Sequence, residues 1–74
     1  MADKRRNGKT TLREARDRRG LSREKVGAMT GRSSKTLERW EDPEKRPRHM
    51  KRYVLEELAE IYGINVDDLE EAAA

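Results

Sequence analysis

Apolar residues recur along this chain at spacings of three and four, broken at short intervals by glycine, proline and capping residues, and that rhythm predicts a series of short helices. Residues 1–9, MADKRRNGK, show no such rhythm and contain Gly8, so they read as a flexible arm. The first helix is expected to start at Thr10 or Thr11, where Thr11 and Glu14 have the spacing of a capping box, and to stop at Gly20. Leu12 and Ala15 face inward, Leu21 closes the corner after the glycine, and Arg13, Asp17 and Arg18 face out. Ser22 is a good cap for a second helix of only two turns, running through Val26 to about Met29 and ended by Gly31. Ser33 opens a third, SKTLERWE, with Leu37 and Trp40 as its inward pair and Pro43 as its stop.

The segment DPEKRPRH then reads as an extended loop, because each of its two prolines biases the preceding residue away from the helical region. Helix is expected to resume near His49. Met50, Tyr53, Val54, Leu58, Ile61 and Tyr62 form the longest amphipathic stretch in the chain, ended by Gly63. Asn65 can cap a last short helix holding Val66 and Leu69. No strand is predicted, since nowhere does apolar/polar alternation persist. The fold class expected is therefore all-α with five helices, none of which is long enough to be stable alone in water.

Composition narrows the function. A chain of 74 residues has room for one domain with a modest core. With no cysteine, neither a disulfide nor a thiolate zinc site can reinforce it. His49 is the only histidine and suggests no metal site, and the acidic residues form no catalytic pair with a nucleophile beside them. No cofactor, no small-molecule ligand and no enzymatic activity are expected. Apolar runs reach about three residues where a bilayer span needs about 18, so no membrane association is expected and a cytoplasmic location is.

Charge is the most informative feature. Residues 1–52 hold all 18 Lys/Arg against 8 Asp/Glu, a balance of +10, whereas residues 53–74 hold 7 Asp/Glu and no Lys/Arg. One part attracts a polyanion and the other repels it, which is the footprint of a nucleic-acid binder that docks with one face. An ordinary solvated surface with blocks of charge would give the same counts.

Two short capped helices about a glycine corner are what a helix-turn-helix requires, because its second helix must be braced across the first with one side free to enter a major groove. If Leu37 and Trp40 face inward, Ser34, Lys35, Glu38 and Arg39 face out. Arg and Lys can donate to guanine O6 and N7, and Ser can serve several bases. Any amphipathic helix would share this pattern.

The stretch GLSREKVGAMTGRSSKTLERWEDPEKRPR followed by LEELAEIYGINVDDL resembles the lambda-repressor-like, Cro-type (XRE) helix-turn-helix family over roughly residues 10–70. The features that carry it are Gly20-Leu21-Ser22, Gly31, Leu37 and Glu41, Leu58-Ala59 and Gly63-Ile64. The resemblance implies a five-helix domain over residues 10–71, between a basic arm at 1–9 and a tail at 72–74. It makes Ser33, Ser34, Lys35 and Arg39 base-contacting and Ser22, Arg23, Lys45, Arg46 and Arg48 phosphate-contacting. Lys4, Arg5, Arg6 and Lys9 would reach along the duplex from the arm. It also implies a structural pair between Arg16 and Glu41, and a core of Leu12, Leu21, Val26, Leu37, Trp40, Val54, Leu58, Ile61 and Leu69.

The partner implied is double-stranded DNA, bound by a homodimer that is weak in solution, favoured on DNA and joined through residues after Gly63. The function implied is a sequence-specific transcriptional regulator, a repressor of phage or bacterial type that occludes an operator. An antitoxin-like or adaptor module with a protein partner is the alternative. A single-stranded RNA binder would expose aromatic platforms, and Trp40, Tyr53 and Tyr62 are all expected inward. Gly27 stands where relatives usually have alanine. The chain departs from the family pattern at Thr30, where an aliphatic residue is usual, at Pro43, where glycine is common, and in HMKRY, about five extra residues before LEELA.

Overall fold

The computed structural model describes residues 9–73 as four α-helices followed by two 3-10 turns. The helices are α1 (Leu12–Arg18), α2 (Arg23–Thr30), α3 (Ser34–Glu41) and α4 (Arg52–Tyr62); the turns cover Val66–Asp68 and Glu70–Ala73. Local side-chain chemistry sets the starts. Thr11 and Glu14 form a reciprocal capping box at α1, and the hydroxyls of Ser22 and Ser33 accept from the amides of Lys25 and Thr36. Gly31 ends α2 with φ +72°, a conformation that costs a residue with a Cβ but not glycine. Asp42 ends α3 in the extended region, as a residue before proline should.

These short elements are held by one core. Leu12, Val26, Leu37, Leu58 and Leu69 are its largest fully buried side chains, one from each helix and Leu69 from between the two C-terminal turns. Each contributes about 1.5–3 kcal/mol by leaving water. Leu21, Trp40 and Ile61, also expected in the core, pack against it while partly exposed. The most extensive contact is between α2 and α3. There the Gly27 carbonyl accepts from the amide of Arg32 at 2.8 Å, so closely that a Cβ on Gly27 would collide with the Arg32 carbonyl oxygen. Glycine, rather than alanine, is what this corner admits. At Thr30 the hydroxyl donates to the Val26 carbonyl at 2.9 Å, which satisfies a polar group where an aliphatic one is usual.

The structure corrects the expected elements in four places. A fifth α-helix does not form: Asn65 caps a three-residue 3-10 turn, and Leu69 then adopts an extended conformation. The reason is a tertiary hydrogen-bonded bridge, in which Thr10 N donates to Asp68 O and Glu70 N donates to Thr10 O, both at 2.8 Å. Helix resumes at Arg52, not near His49, so His49, Met50 and Lys51 lengthen the loop instead of the helix. That loop is not wholly extended, since Asp42 O accepts from Lys45 N and Arg46 N and its carboxylate accepts from Glu44 N. Lastly, Tyr53 is 63% exposed. Val54, Leu55, Leu58, Ala59 and Tyr62 form the buried arc of α4, and Tyr53 falls on its far side.

Candidate nucleic-acid interface

The candidate surface is built on α3. Leu37, 1% exposed, anchors the helix, and Trp40 packs half-buried beside it. At 3.6 residues per turn Lys35 and Arg39 lie nearly opposite Leu37, and both are exposed. Among the described residues neither is drawn into an ion pair. Glu38 is exposed on the same side and Ser34 is half-buried. Ser33 is exposed, but its hydroxyl accepts the Thr36 amide at 3.2 Å and lies 3.0 Å from the Thr36 hydroxyl. Its first task is capping.

The angle of α3 is fixed by Glu41 at its last turn. The carboxylate accepts Arg16 Nε at 2.7 Å and Arg16 Nη2 at 3.0 Å, a two-pronged fork from α1, and Arg23 Nε at 3.0 Å from the first residue of α2. Arg16 also donates to the Leu21 carbonyl at 2.8 Å, so it holds the corner between α1 and α2 as well. The bond to Glu41 pushes the Arg16 pKa further up, against the opposing effect of burial. Tyr62 lies in the same region with its hydroxyl buried and without a partner among the described residues. Burial, reinforced by the Glu41 carboxylate, pushes that phenol up to about 12.

Ser22, Arg23, Ser34 and Glu38 line one shallow cleft between the start of α2 and α3, so the fold brings two of the expected phosphate-contacting residues, Ser22 and Arg23, together with one expected base-contacting residue, Ser34. Arg23 reaches that cleft already tied to Glu41, which orients its guanidinium. In the loop after α3, Lys45 and Arg48 are exposed, whereas Arg46 is half-buried and donates to Glu71 Oε2 at 3.1 Å. Lys9 is not loose, since its ammonium donates to the Asp67 carbonyl at 2.6 Å. Lys4, Arg5 and Arg6 lie outside the described residues.

Two side chains that tie the elements around α3 together escaped the sequence reading. Arg32, in the turn, stacks over the Trp40 ring at 5.3 Å, donates to Glu57 of α4 at 3.0 Å and thereby braces the turn and α3 against α4. Glu71, the last residue of the expected domain and given no role there, is a buried carboxylate. Both pair across 25 residues, a separation at which no local periodicity operates. The extra HMKRY segment places Lys51 at the N-cap of α4 without a side-chain cap bond and commits Arg52 to Glu56 and Asp67 at 3.3 and 3.0 Å.

Among the described residues no helix is long and apolar enough to cross a membrane. No curated protein and no solved structure matches the chain. A family model described as a helix-turn-helix domain matches residues 10–72, which spans every element from the capped start of α1 to the buried C-terminal turn. With two capped helices about Gly31 and the second of them braced by Glu41, the chain belongs to the helix-turn-helix domain family of the XRE/lambda-repressor type, a family typically without enzymatic activity whose fold points to a DNA-binding regulator.

Proposed function

We propose that this protein is a sequence-specific double-stranded DNA-binding repressor of phage or bacterial type, acting in the cytoplasm by occluding an operator. The observation that carries the reading is the outer face of α3, where Lys35 and Arg39 stand exposed opposite a buried Leu37 on a helix whose angle Glu41 fixes. In this mechanism α3 lies in the major groove. Ser34, Lys35 and Arg39 read base edges, with Ser33 at the rim, and Glu38 accepts from a cytosine amino group. Ser22, Arg23, Lys45 and Arg48 position the domain on phosphates, and Lys4, Arg5 and Arg6 follow the duplex beyond.

Two copies would occupy half-sites about one helical turn apart, as a dimer weak in solution and stabilised on DNA. Among the described residues after Gly63, little is offered to such a contact, because Leu69 is fully buried in its own chain and the apolar side chains left partly exposed are Ile64, Val66 and Ala72. This favours assembly that depends on the duplex, and sedimentation showing a tight dimer without DNA would count against it.

Selection of bound duplexes from a random pool tests the function, because it yields a motif, its symmetry and its half-site spacing together. Lys35→Ala and Arg39→Ala should each lose about 1–3 kcal/mol and relax the preference at a defined position, whereas Arg48→Ala should weaken all sequences alike. Equal losses on selected and random duplexes for Lys35→Ala and Arg39→Ala would overturn the base-reading roles. A second reading, an antitoxin-like or adaptor module whose main partner is a protein, is favoured by one feature. Trp40, Pro47, Met50, Tyr53 and Val54 line an open groove, and Tyr53 is largely exposed there. Failure to enrich any motif, together with co-purification of a protein partner, would favour that alternative.

A further inference from the structure

We propose that Glu71 withholds Arg46 from DNA, so that the basic loop after α3 meets phosphates through Lys45 and Arg48 while Arg46 serves as an internal strut. This rests on the DNA-binding reading above and deepens it. The sequence KRPR presents three cations in four residues, and nothing local distinguishes them. In the fold they diverge: Lys45 and Arg48 are exposed, and Arg46 turns inward to a carboxylate that is 2% exposed.

The carboxylate is held where it is by the backbone. Glu70 N donates to Thr10 O at 2.8 Å and Ala72 N to Leu69 O at 3.1 Å, so the turn that carries Glu71 is pinned on both sides. Its Oε2 accepts from Leu12 N at 3.4 Å and from Arg46 Nη1 at 3.1 Å, and its Oε1 is buried without a partner among the described residues. Arg46 is the one cation that reaches this carboxylate among the described residues. The Arg46 backbone is fixed as well, since its amide donates to Asp42 O at 2.9 Å.

A phosphate seeking Arg46 would have to strip a buried carboxylate of its counter-ion. What it would gain is an exposed contact that salt screens. The buried pair therefore wins, and Arg46 stays with Glu71 when the duplex arrives. The acidic C-terminal turn thus sets how many cations the loop can offer.

Salt-dependent binding of the full chain to a random-sequence 20-base-pair duplex counts those cations, because each phosphate contact contributes about 0.9 to the slope of log affinity against log salt. Lys45→Gln and Arg48→Gln should each flatten the slope by about 0.9, and Arg46→Gln should leave it unchanged. Glu71→Gln should steepen it by about 0.9, as the freed Arg46 joins the phosphates, and the double variant Arg46→Gln/Glu71→Gln should return it to the wild-type value. Glu70→Gln, an equal change of charge at an exposed neighbour, should not move it.

Helical circular dichroism checks each fold. If Arg46→Gln alone does not fold, Glu71→Gln and the double variant, which strands no buried charge, decide the matter. Flattening by Arg46→Gln, or a slope that Glu71→Gln leaves unmoved, overturns the withholding and leaves the DNA-binding reading standing. A wild-type chain that binds no duplex overturns both.

Discussion

Glu41 and Glu71 are both carboxylates carried into the protein, 3% and 2% exposed, and each receives an arginine from a distant part of the chain. They differ in how completely their oxygens are satisfied. Glu41 accepts three charge-assisted bonds from Arg16 and Arg23, with both oxygens engaged. Glu71 shares one oxygen between Arg46 and a 3.4 Å amide contact, and its other oxygen has no partner among the described residues. Burial consequently pushes Glu71 above its ordinary value of 4.5, which the bonds it does receive only partly oppose. Equal burial thus has different consequences: one carboxylate locks three helices together, and the other holds a loop cation at some cost to itself.

Breaking the saturated site should cost most. Glu41→Gln leaves the buried Arg16 with only the exposed Asp17 carboxylate, 3.5 Å away, as counter-charge, and should lose about 3–5 kcal/mol of unfolding free energy, read from urea melts. That is a large share of the roughly 4–11 kcal/mol expected for a domain of this size. Arg16→Met, which keeps the bulk and leaves Arg23 on the carboxylate, should cost about 1.5–3 kcal/mol. Arg23, 35% exposed, is the outer prong, and Arg23→Met should cost at most about 1 kcal/mol while weakening duplex binding more than it weakens the fold. Glu71→Gln should sit near zero at neutral pH, within about 1 kcal/mol, because the side chain no longer has to be buried charged and the released Arg46, already partly exposed, can turn to solvent. A loss at Glu71→Gln equal to that at Glu41→Gln would erase the contrast.

The pH dependence sharpens it further. Because Glu71 holds its proton more tightly folded than unfolded, its contribution is fully present below the ordinary carboxylate value and is lost as pH rises through its raised one. Urea midpoints of wild type and Glu71→Gln, compared as pH is raised from about 4 to about 7, should therefore move in the variant's favour. A difference that stays flat across that range would show Glu71 to be ordinary.

The same contrast separates what was legible from what was not. Glu41 was nameable because it ends a helix whose start, stop and inward leucine are all written locally, and because Arg16 and Glu41 together match a known pattern. Glu71 sits in EEAAA, past the last large apolar residue, Leu69, where no local pattern calls for burial. Its burial follows from Leu69 leaving helical conformation to bridge Thr10, an event set 59 residues upstream. Tyr53 teaches a related lesson. Grouping it with Val54 by spacing ignored Leu55, and once Leu55 and Ala59 are seen to be buried, the arc of α4 excludes Tyr53.

By itself the sequence determined that four α-helices form, the caps that start the first three, the glycine at the corner and the outward placement of Lys35 and Arg39, because hydrogen bonds and steric limits between residues one to four apart decide all of these. Tertiary structure alone decided which cations remain available. Arg32, Arg46 and Arg52 look as free in the sequence as Lys45 and Arg48, yet each is claimed by a carboxylate at least in part from another element, since ion pairing depends on distance in space and on burial, and the order of residues encodes neither.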